Sequence, residues 1–375
     1  MRIYLDCNAT TPIDKEVSEI TCRYLIDDFG NAGSHTHDYG AVAKQAVQKA
    51  RDQVASLVDA KQEEIFFTSG ATESNNLAIL GLVQFAKKNH LNHIITTQIE
   101  HRSVLRPFAY LESLGFEVTY LKPSVDGRID PMELQKSLRE DTFLVSIMHV
   151  NNEIGVIQPI SECAKVLKDH QAFFHTDSAQ GFGKDFETLQ NKRIDFISIS
   201  GHKVYAPKGI GALIIRSRGS NVLNPLMYGG GQEQGLRPGT LAVPLIAGLG
   251  KAAELAKINY DERKEYCLEI KNAALEAFKS LDYKVNGNLK YMVPHTLNIS
   301  FSGVNSETAI SILKDLVAIS SGSACSSQNY APSHVLKAMG YSDKDAQEVL
   351  RFSWCHMTPM PDWQGIVEKI KNLQG

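Results

Sequence analysis

Residues 64–98 read "EIFFTSGATESNNLAILGLVQFAKKNHLNHIITTQ" and contain a strand, a helix and a second strand in succession. The apolar run at 64–69 predicts a short buried strand. Residues 71–88 have the apolar spacing of a helix, and 93–98 predict the next strand. The same alternation continues to about residue 216. It predicts an α/β domain with a mostly parallel sheet that helices cover on both faces.

Beyond about residue 243 the pattern changes. Residues 243–281 form a long helical stretch, which we expect to break near Asn259. A strand at 296–301, a helix at 307–316 and a strand at 351–355 follow. This part predicts a smaller α+β unit after the α/β domain.

Composition excludes several classes of protein. Of 375 residues, 43% are hydrophobic and 22% charged, which is typical of a globular protein. The formal net charge of −3 gives no basic excess, so we expect no direct binding of nucleic acid. We find no signal peptide and no apolar run long enough to cross a membrane.

The six cysteines are scattered and include no CxxC pair. This is neither a disulfide framework nor a zinc-binding spacing, and it favours a reducing, cytoplasmic location. His35 and His37 form an HxH pair without a third ligand, so we expect no intrinsic metal site.

Ligands of such sheets bind at the carboxyl ends of the strands. "TSGATESNN" (68–76) follows a strand and opens a helix, where the N–H groups of Ala71 and Thr72 suit a phosphate. An ordinary strand-to-helix turn would give the same pattern. "HTDSAQ" (175–180) places Asp177 at the end of another strand, either as a partner for a cation or as a helix N-cap.

"ISISGHKVYAPKGIGAL" (197–213) places Lys203 just after an apolar strand. An amine at such a position can act as nucleophile and base, and Ser200 and His202 are candidate phosphate contacts beside it. A phosphate cradle, a carboxylate and a lysine at successive strand ends are the groups that pyridoxal phosphate requires. His101 follows a further strand, where its imidazole could stack on the ring or move protons.

The chain closely resembles the pyridoxal-phosphate-dependent cysteine desulfurases, in the branch with a long mobile cysteine loop. The matching stretches occur in family order and run nearly end to end. They are "YLDCNATTP", "FTSGATESNNLAI", "EHRSVL", "HVNNEIGVIQPI", "HTDSAQ", "SGHKVYAPKGIGAL", "GGGQEQGLRPGTL", "SSGSACSS", "SHVLKAMG" and "RFSW". The resemblance implies the fold-type I, aspartate aminotransferase-like fold in a homodimer. It also implies a large cofactor domain at 13–258 and a small domain built from 1–12 and 259–375.

The resemblance assigns roles to individual residues. Lys203 matches the Schiff-base lysine, Asp177 the partner of the pyridine nitrogen, and His101 the histidine that stacks on the ring. Gln180 would bond the ring hydroxyl. The phosphate positions are Ala71, Thr72, Ser200 and His202, with Thr240 reaching the cofactor of the neighbouring subunit. Asn152, which we also count among the cofactor contacts, and Arg351 match positions near the substrate carboxylate.

Cys325, in the loop at about 321–333, matches the cysteine that forms a persulfide. The implied reaction removes sulfur from L-cysteine, leaves L-alanine and passes the sulfur from Cys325 to an acceptor protein. That acceptor would serve iron–sulfur cluster assembly, tRNA thiolation or DNA phosphorothioation. Cys325 could ligate a cluster only together with such a partner.

Four positions depart from the commonest family pattern: Cys7, residues 31–37, Gln234 and residues 354–356. We expect all four at the entrance of the site or at the rim of the dimer. Residues 31–37 together with Gln234 favour the subtype of desulfurase that serves DNA phosphorothioation. Two other functions stay open. One is another fold-type I enzyme, such as a selenocysteine lyase or an aminotransferase, and the other is a non-catalytic sulfur-transfer scaffold.

Overall fold

The computed structural model describes residues 2–321 and 333–374. Its strands within these ranges are β1 (Ile3–Tyr4), β2 (Ile65–Thr68), β3 (His93–Thr97), β4 (Glu117–Leu121), β5 (Thr142–Ser146), β6 (Phe173–Asp177), β7 (Phe196–Ser200), β8 (Gly211–Ile215), β9 (Tyr283–Val285), β10 (Thr296–Phe301), β11 (Val317–Ala318) and β12 (Val349–Ser353). Its helices there are α1 (Lys15–Ile26), α2 (Asp38–Val58), α3 (Ala71–Leu80), α4 (Val83–Lys88), α5 (Arg102–Ser113), α6 (Pro131–Ser137), α7 (Ile160–Val166), α8 (Val243–Ile258), α9 (Tyr260–Phe278), α10 (Ser306–Leu313), α11 (His334–Ala338), α12 (Asp343–Ala346) and α13 (Trp363–Gln374).

The largest sheet has seven strands in the order β2-β8-β7-β6-β5-β3-β4. Strands β4, β3, β5, β6 and β7 are parallel neighbours, whereas β8 runs antiparallel to both β7 and β2. Because two reversals cancel, β2 points in the same direction as the parallel strands. The predicted mostly parallel α/β sheet is therefore confirmed.

Helices cover both faces of this sheet, as predicted. Ile65 and Phe67 of β2 pack into a hydrophobic cluster with α1, α2 and α8, whereas Phe66 packs into a second cluster with α3 and α5. The inner strands are buried along their whole length. Burial on both faces explains why these strands are continuous apolar runs in the sequence.

The carboxyl ends of three strands meet at one edge of the sheet. Strand β6 ends at Asp177, β7 ends at Ser200, and β2 is followed by Gly70. Gly211 of β8 pairs with Ser200 on one side and with Thr68 on the other, which brings β2 and β7 close together. This edge is where the sequence predicts the functional residues.

A second, three-stranded antiparallel sheet has the order β12-β10-β9 and packs against α9 and α13. The N-terminal strand β1 pairs in parallel with β11, with Ile3 opposite Val317. The predicted break near Asn259 is confirmed, since α8 ends at Ile258 and α9 begins at Tyr260. The division into a large and a small domain at this point stays a prediction.

The single helix predicted over 71–88 is wrong. The structure has two helices, α3 and α4, with a turn at Gly81 and Leu82. The carbonyl of Gly81 accepts a hydrogen bond from the N–H of Asn224 (2.9 Å), so a neighbouring segment crosses the chain there. Across 2–321 and 333–374, every helix is too short or too polar to cross a membrane.

Candidate active site at the sheet edge

Helix α3 begins with the geometry of an anion-binding helix terminus. Gly70 has φ 154°, a conformation that suits glycine, and it leads directly into Ala71 and Thr72. No side chain in the described part of the protein caps this end, so its first N–H groups are left to a ligand. A Cβ atom at Gly70 would lie 3.8 Å from Ser200 Oγ. The predicted phosphate residues Ala71, Thr72 and Ser200 are therefore close together.

Asp177 is buried, and two hydrogen bonds hold its carboxylate. Asn75 Nδ2 donates to Asp177 Oδ2 (2.7 Å), and the N–H of Ala179 donates to Asp177 Oδ1 (2.9 Å). Asn75 Nδ2 also donates to Ser103 Oγ (2.8 Å), which lies 2.7 Å from His101 Nδ1. The structure thus connects Asp177 to His101 through two side chains that the sequence analysis did not single out.

Lys203 is half-buried just after β7, and its Nζ donates to two backbone carbonyls of the N-terminal segment. The acceptors are the carbonyl of Asn8 and that of Ala9, the latter at 2.7 Å. Gln180 Nε2 donates to the same Asn8 carbonyl (2.9 Å), so Lys203 and Gln180 meet at one oxygen. Gln180 Oε1 is buried and has no hydrogen-bond partner among the described residues. It is available to a ligand that carries a donor.

His202 lies between Lys203 and the N-terminal segment. Its Nδ1 is 3.1 Å from Thr10 Oγ1, and its carbonyl accepts from the N–H of Thr11 (3.0 Å). Burial lowers the pKa of His202 to about 4, and the positive charge of Lys203 acts in the same direction. The ring is therefore neutral at pH 7, and one of its nitrogens can donate while the other accepts.

Arg351 is buried on β12 beside the same N-terminal segment. Its Nη2 lies 2.6 Å from Asp6 Oδ1, and its Nη1 donates to the carbonyl of Asn152 (3.0 Å). Asn8 Nδ2 donates to that carbonyl as well (3.1 Å). Arg351 Nε is buried without a partner among the described residues. The two residues predicted near the substrate carboxylate, Arg351 and Asn152, are thus in contact.

Cys325 lies outside the described residues. The chain on either side of that segment is attached to residues around the candidate site. Ser320 exchanges two backbone hydrogen bonds with Arg351, at 3.3 and 2.7 Å. Ser333 Oγ donates to the carboxylate of Glu153, and burial raises the pKa of that carboxylate. Both flanks of the predicted cysteine loop are therefore fixed near Arg351 and Asn152.

Two of the departures from the family pattern do not lie where we expected. Cys7, Trp354 and Cys355 are at most 1% exposed, so the prediction of an entrance or rim position is wrong for them. Trp354 Nε1 donates to the carbonyl of Cys267 (2.9 Å), which places this tryptophan in the small core. Gln234 is exposed, with a left-handed φ of 56°.

Thr240 is also exposed, and its role toward a second subunit stays a prediction. His37 Nδ1 accepts from the N–H of Gly40 (3.3 Å) and caps α2, which accounts for one histidine of the HxH pair. In the part of the chain that the structure describes, no three His, Cys, Asp or Glu side chains are grouped to hold a metal ion.

Asn8, Asn75 and Ser103 are the site residues that sequence reasoning missed. Asn75 could have been found, because it lies four residues after Ala71 and so faces the same side of α3. Asn8 lies within "YLDCNATTP", yet its role depends on its backbone carbonyl, which no side-chain pattern reveals.

These residues fit pyridoxal phosphate. The start of α3 offers N–H groups to a phosphate, and Asp177 offers a buried carboxylate to a protonated ring nitrogen. The unpaired Gln180 Oε1 offers an acceptor to a ring hydroxyl, and Lys203 offers an amine to an aldehyde.

Comparison with known proteins agrees with this geometry. The family model described as Aminotransferase class-V matches residues 3–364 of this chain. The cysteine desulfurase IscS of Vibrio campbellii (strain ATCC BAA-1116) is 46% identical over 372 residues, which cover 98% of this chain and 92% of that protein. The solved structure of a NifS-like protein has a TM-score of 0.92 and 34% identity, and covers 100% of this chain and 99% of its own. The structure of SspA in complex with cysteine has a TM-score of 0.83 and 39% identity, with coverages of 94% and 98%.

Proposed function

The chain belongs to the aminotransferase class-V family, and we infer that it is a cysteine desulfurase, which removes sulfur from L-cysteine and leaves L-alanine. One observation carries the inference. The start of α3, the carboxylate of Asp177 and the amine of Lys203 lie at the carboxyl ends of β2, β6 and β7, along one edge of a mostly parallel sheet. The fold-type I architecture accounts for this arrangement.

We propose pyridoxal 5'-phosphate as the cofactor. Ala71, Thr72, Ser200 and His202 would hold its phosphate, Asp177 its ring nitrogen and Gln180 its hydroxyl, with His101 against the ring and Lys203 at the aldehyde. When bound, this cofactor supplies an electron sink for the carbon skeleton of the amino acid.

Lys203 acts as the base of the reaction. Its Nζ is held by two backbone carbonyls, so its amine has a defined position before substrate arrives. In our proposal this amine takes the Cα proton of cysteine and returns a proton to carbon. His202, neutral at pH 7, places no second positive charge beside it.

Arg351 and Asn152 bind the substrate carboxylate. The ion pair with Asp6 orients the guanidinium, and Arg351 Nε keeps an N–H that a carboxylate oxygen can accept. The structure of SspA with cysteine shows that a relative of this fold holds this amino acid. We therefore propose L-cysteine as the substrate.

Cys325 receives the sulfur in our proposal. Its thiolate attacks the sulfur of cysteine, the bond between that sulfur and C3 breaks, and a persulfide forms on Cys325. Protonation of the remaining carbon skeleton gives alanine. A free cysteine has a pKa of about 8.5, so the thiol must lose its proton before the attack.

The experiment measures alanine and sulfide from L-cysteine with a reductant present. We expect the purified protein to absorb visible light, to bleach with borohydride and to form alanine and sulfide in equal amounts. Cys325→Ser should keep the visible absorbance and its change with cysteine, but lose sulfide release. Cys22→Ser, which alters an exposed cysteine, serves as the control.

Other outcomes favour the alternatives. A 2-oxo acid without sulfide would indicate an aminotransferase, and a strong preference for selenocysteine would indicate a selenocysteine lyase. A colourless protein that cannot be reconstituted would indicate a non-catalytic scaffold. Full sulfide release by Cys325→Ser would contradict the role of that cysteine.

The sulfur acceptor, the homodimer and the cytoplasmic location are further proposals. The acceptor would belong to iron–sulfur cluster assembly, tRNA thiolation or DNA phosphorothioation. Transfer of labelled sulfur from the Cys325 persulfide to purified candidates would decide among them. Light scattering would test the dimer.

A further inference from the structure

Cys7 and Cys355 come from opposite ends of the chain and meet in the interior. The N–H of Cys7 donates to the carbonyl of Ser353 (3.0 Å), and the N–H of Ser353 donates to the carbonyl of Leu5 (2.8 Å), so the two segments run side by side. The cysteine side chains are 0% and 1% exposed, and they pack together with Tyr205 in one small buried cluster. Both are departures from the commonest family pattern, and the proposed desulfurase reaction uses neither.

The surroundings of the pair favour a thiolate. Thr358 Oγ1 lies 3.6 Å from Cys355 Sγ, in the geometry of a donor. Lys184 is fully buried close by, with its Nζ 5.6 Å from the ring centroid of Tyr205, which packs against both cysteines. Lys184 Nζ has no hydrogen-bond partner among the described residues. Burial lowers the pKa of Lys184, whereas the neighbouring thiols favour its charged form.

The two thiols are not equivalent. The hydrogen bond from Cys7 lowers the pKa of Cys355, and Thr358 and Lys184 act in the same direction. The same hydrogen bond raises the pKa of Cys7, with burial as the second cause. Because Thr358 Oγ1 donates to Cys355 Sγ, we assign Cys355 as the attacking thiol and Cys7 as the thiol that resolves it.

Solvent comes close to the buried pair on one side. A surface cavity of about 640 Å³ is lined in part by His356 and Met357. Met357 packs against the cysteines, and the ring of His356 contacts Tyr205 edge-on at 4.5 Å. One layer of side chains therefore separates the cavity from the thiols.

We propose that Cys7 and Cys355 are a dithiol site that a peroxide oxidises to a disulfide. The Cys355 thiolate attacks one peroxide oxygen, the O–O bond breaks, hydroxide leaves, and Cys355 becomes a sulfenic acid. The Cys7 sulfur then attacks the Cys355 sulfur, and the hydroxyl group leaves as water with the Cys7 proton. Two thiols lose two electrons in total, and the peroxide gains them.

The disulfide would lie next to the candidate active site. Cys7 precedes Asn8, whose carbonyl accepts from both Lys203 and Gln180. The dithiol would therefore link the oxidation state of the protein to the segment that holds the catalytic lysine.

The test treats the reduced, cofactor-loaded protein with hydrogen peroxide and then alkylates all remaining thiols in denaturant. Peptide mapping should show a cross-link between the peptides of Cys7 and Cys355, and a thiol reductant should remove it. Exposed Cys22 reports that the oxidant has acted. The proposal is overturned if Cys22 is fully oxidised while Cys7 and Cys355 are both recovered as free, alkylated thiols.

Two variants test the roles of the thiols, and the wild-type mapping stands even if one of them fails to fold. In Cys7→Ala, the Cys355 sulfenic acid cannot be resolved and should be labelled by dimedone during unfolding. In Cys355→Ala, Cys7 should stay unlabelled. Cys163→Ala, which alters a buried cysteine of α7, should keep the cross-link. Labelling of Cys7 in Cys355→Ala at the wild-type rate of cross-linking would refute Cys355 as the attacking thiol.

Discussion

Strand β2 lies between two buried polar clusters that differ in how well their atoms are satisfied. Along its free edge, the N–H of Phe67 donates to Glu233 Oε2 (2.7 Å). Arg51 donates to the carbonyl of Ile65 and to both oxygens of Glu233. At the sheet edge where β2 and β6 end, Gln180 Oε1 and other buried atoms of the candidate site have no partner among the described residues.

The difference separates a stabilising cluster from a binding site. The Glu233–Arg51 pair completes the hydrogen bonds of an edge strand, so each of its carboxylate oxygens is used. A buried unsatisfied atom costs about 1–3 kcal/mol, which folding alone does not favour. Gln180 Oε1, Asn75 Oδ1 and Arg351 Nε are such atoms, and a bound cofactor or substrate would satisfy them.

The largest effect should come from the site. We expect Lys203→Ala to lower alanine formation by about 10³-fold or more, because the reaction loses its base. The visible absorbance at the wild-type maximum should be lost as well, while the free energy of unfolding changes little. Lys208→Ala, in the same loop but exposed, is the matched control and should behave as wild type. Unchanged turnover in Lys203→Ala would mean that another residue is the base.

Substitutions in the Glu233–Arg51 pair should lower the stability of the protein rather than its activity. Arg51→Met leaves the Glu233 carboxylate buried without its cation, and we expect the free energy of unfolding in urea to fall by about 3–5 kcal/mol. The exposed pair of Lys136 and Glu133 provides the control, since Lys136→Met should cost less than about 1 kcal/mol. If Arg51→Met lost cofactor binding but kept the wild-type free energy of unfolding, the Glu233–Arg51 pair would serve binding rather than stability.

The buried carboxyl group of Glu100, which precedes His101 of the candidate site, should make the stability of the protein depend on pH. It is fully buried, and burial raises its pKa from 4.5 to about 8 although Met148 N–H and Thr97 Oγ1 donate to it. The folded protein therefore holds this proton more tightly than the unfolded chain. Protonated Glu100 thus contributes to the free energy of unfolding below pH 4.5, and that contribution is lost as pH rises toward 8. We expect the free energy of unfolding to fall by roughly 2 kcal/mol from pH 5 to pH 7 on this account.

Glu100→Gln isolates that contribution, because the amide keeps the shape and does not titrate. The difference in unfolding free energy between wild type and Glu100→Gln should change with pH across this window. A difference that stays constant from pH 5 to pH 8 would show that Glu100 is ionised throughout.

The smallest effect should come from Asn75, which positions Asp177. We expect Asn75→Ala to weaken binding of pyridoxal phosphate about tenfold and to shift its absorbance maximum, because one hydrogen bond to a charged group is lost. Asn76→Ala is the control on the same helix, since that side chain is half-buried and donates a hydrogen bond to the carbonyl of Thr72 within α3. A fall in thermal stability with unchanged affinity and spectrum would assign Asn75 a structural role alone.

Much of the candidate site could be predicted because its residues follow strands directly. Gly70, Asp177 and Lys203 each come just after an apolar run, and parallel strands bring their carboxyl ends to one edge. The ion pair of Arg351 with Asp6 could not be predicted, since no local pattern relates two segments from opposite ends of the chain.

The sequence by itself determined the alternation of strands and helices, the polar residues at the strand ends and the resemblance to desulfurases. These are local or motif properties, set by apolar periodicity and by residue type. Only the tertiary structure decided that residues 6–11 cross the site, that the carbonyl of Asn8 joins Lys203 to Gln180, and that Cys7 meets Cys355. Such contacts depend on the packing of distant segments and on backbone atoms, which every residue carries and no side-chain pattern marks.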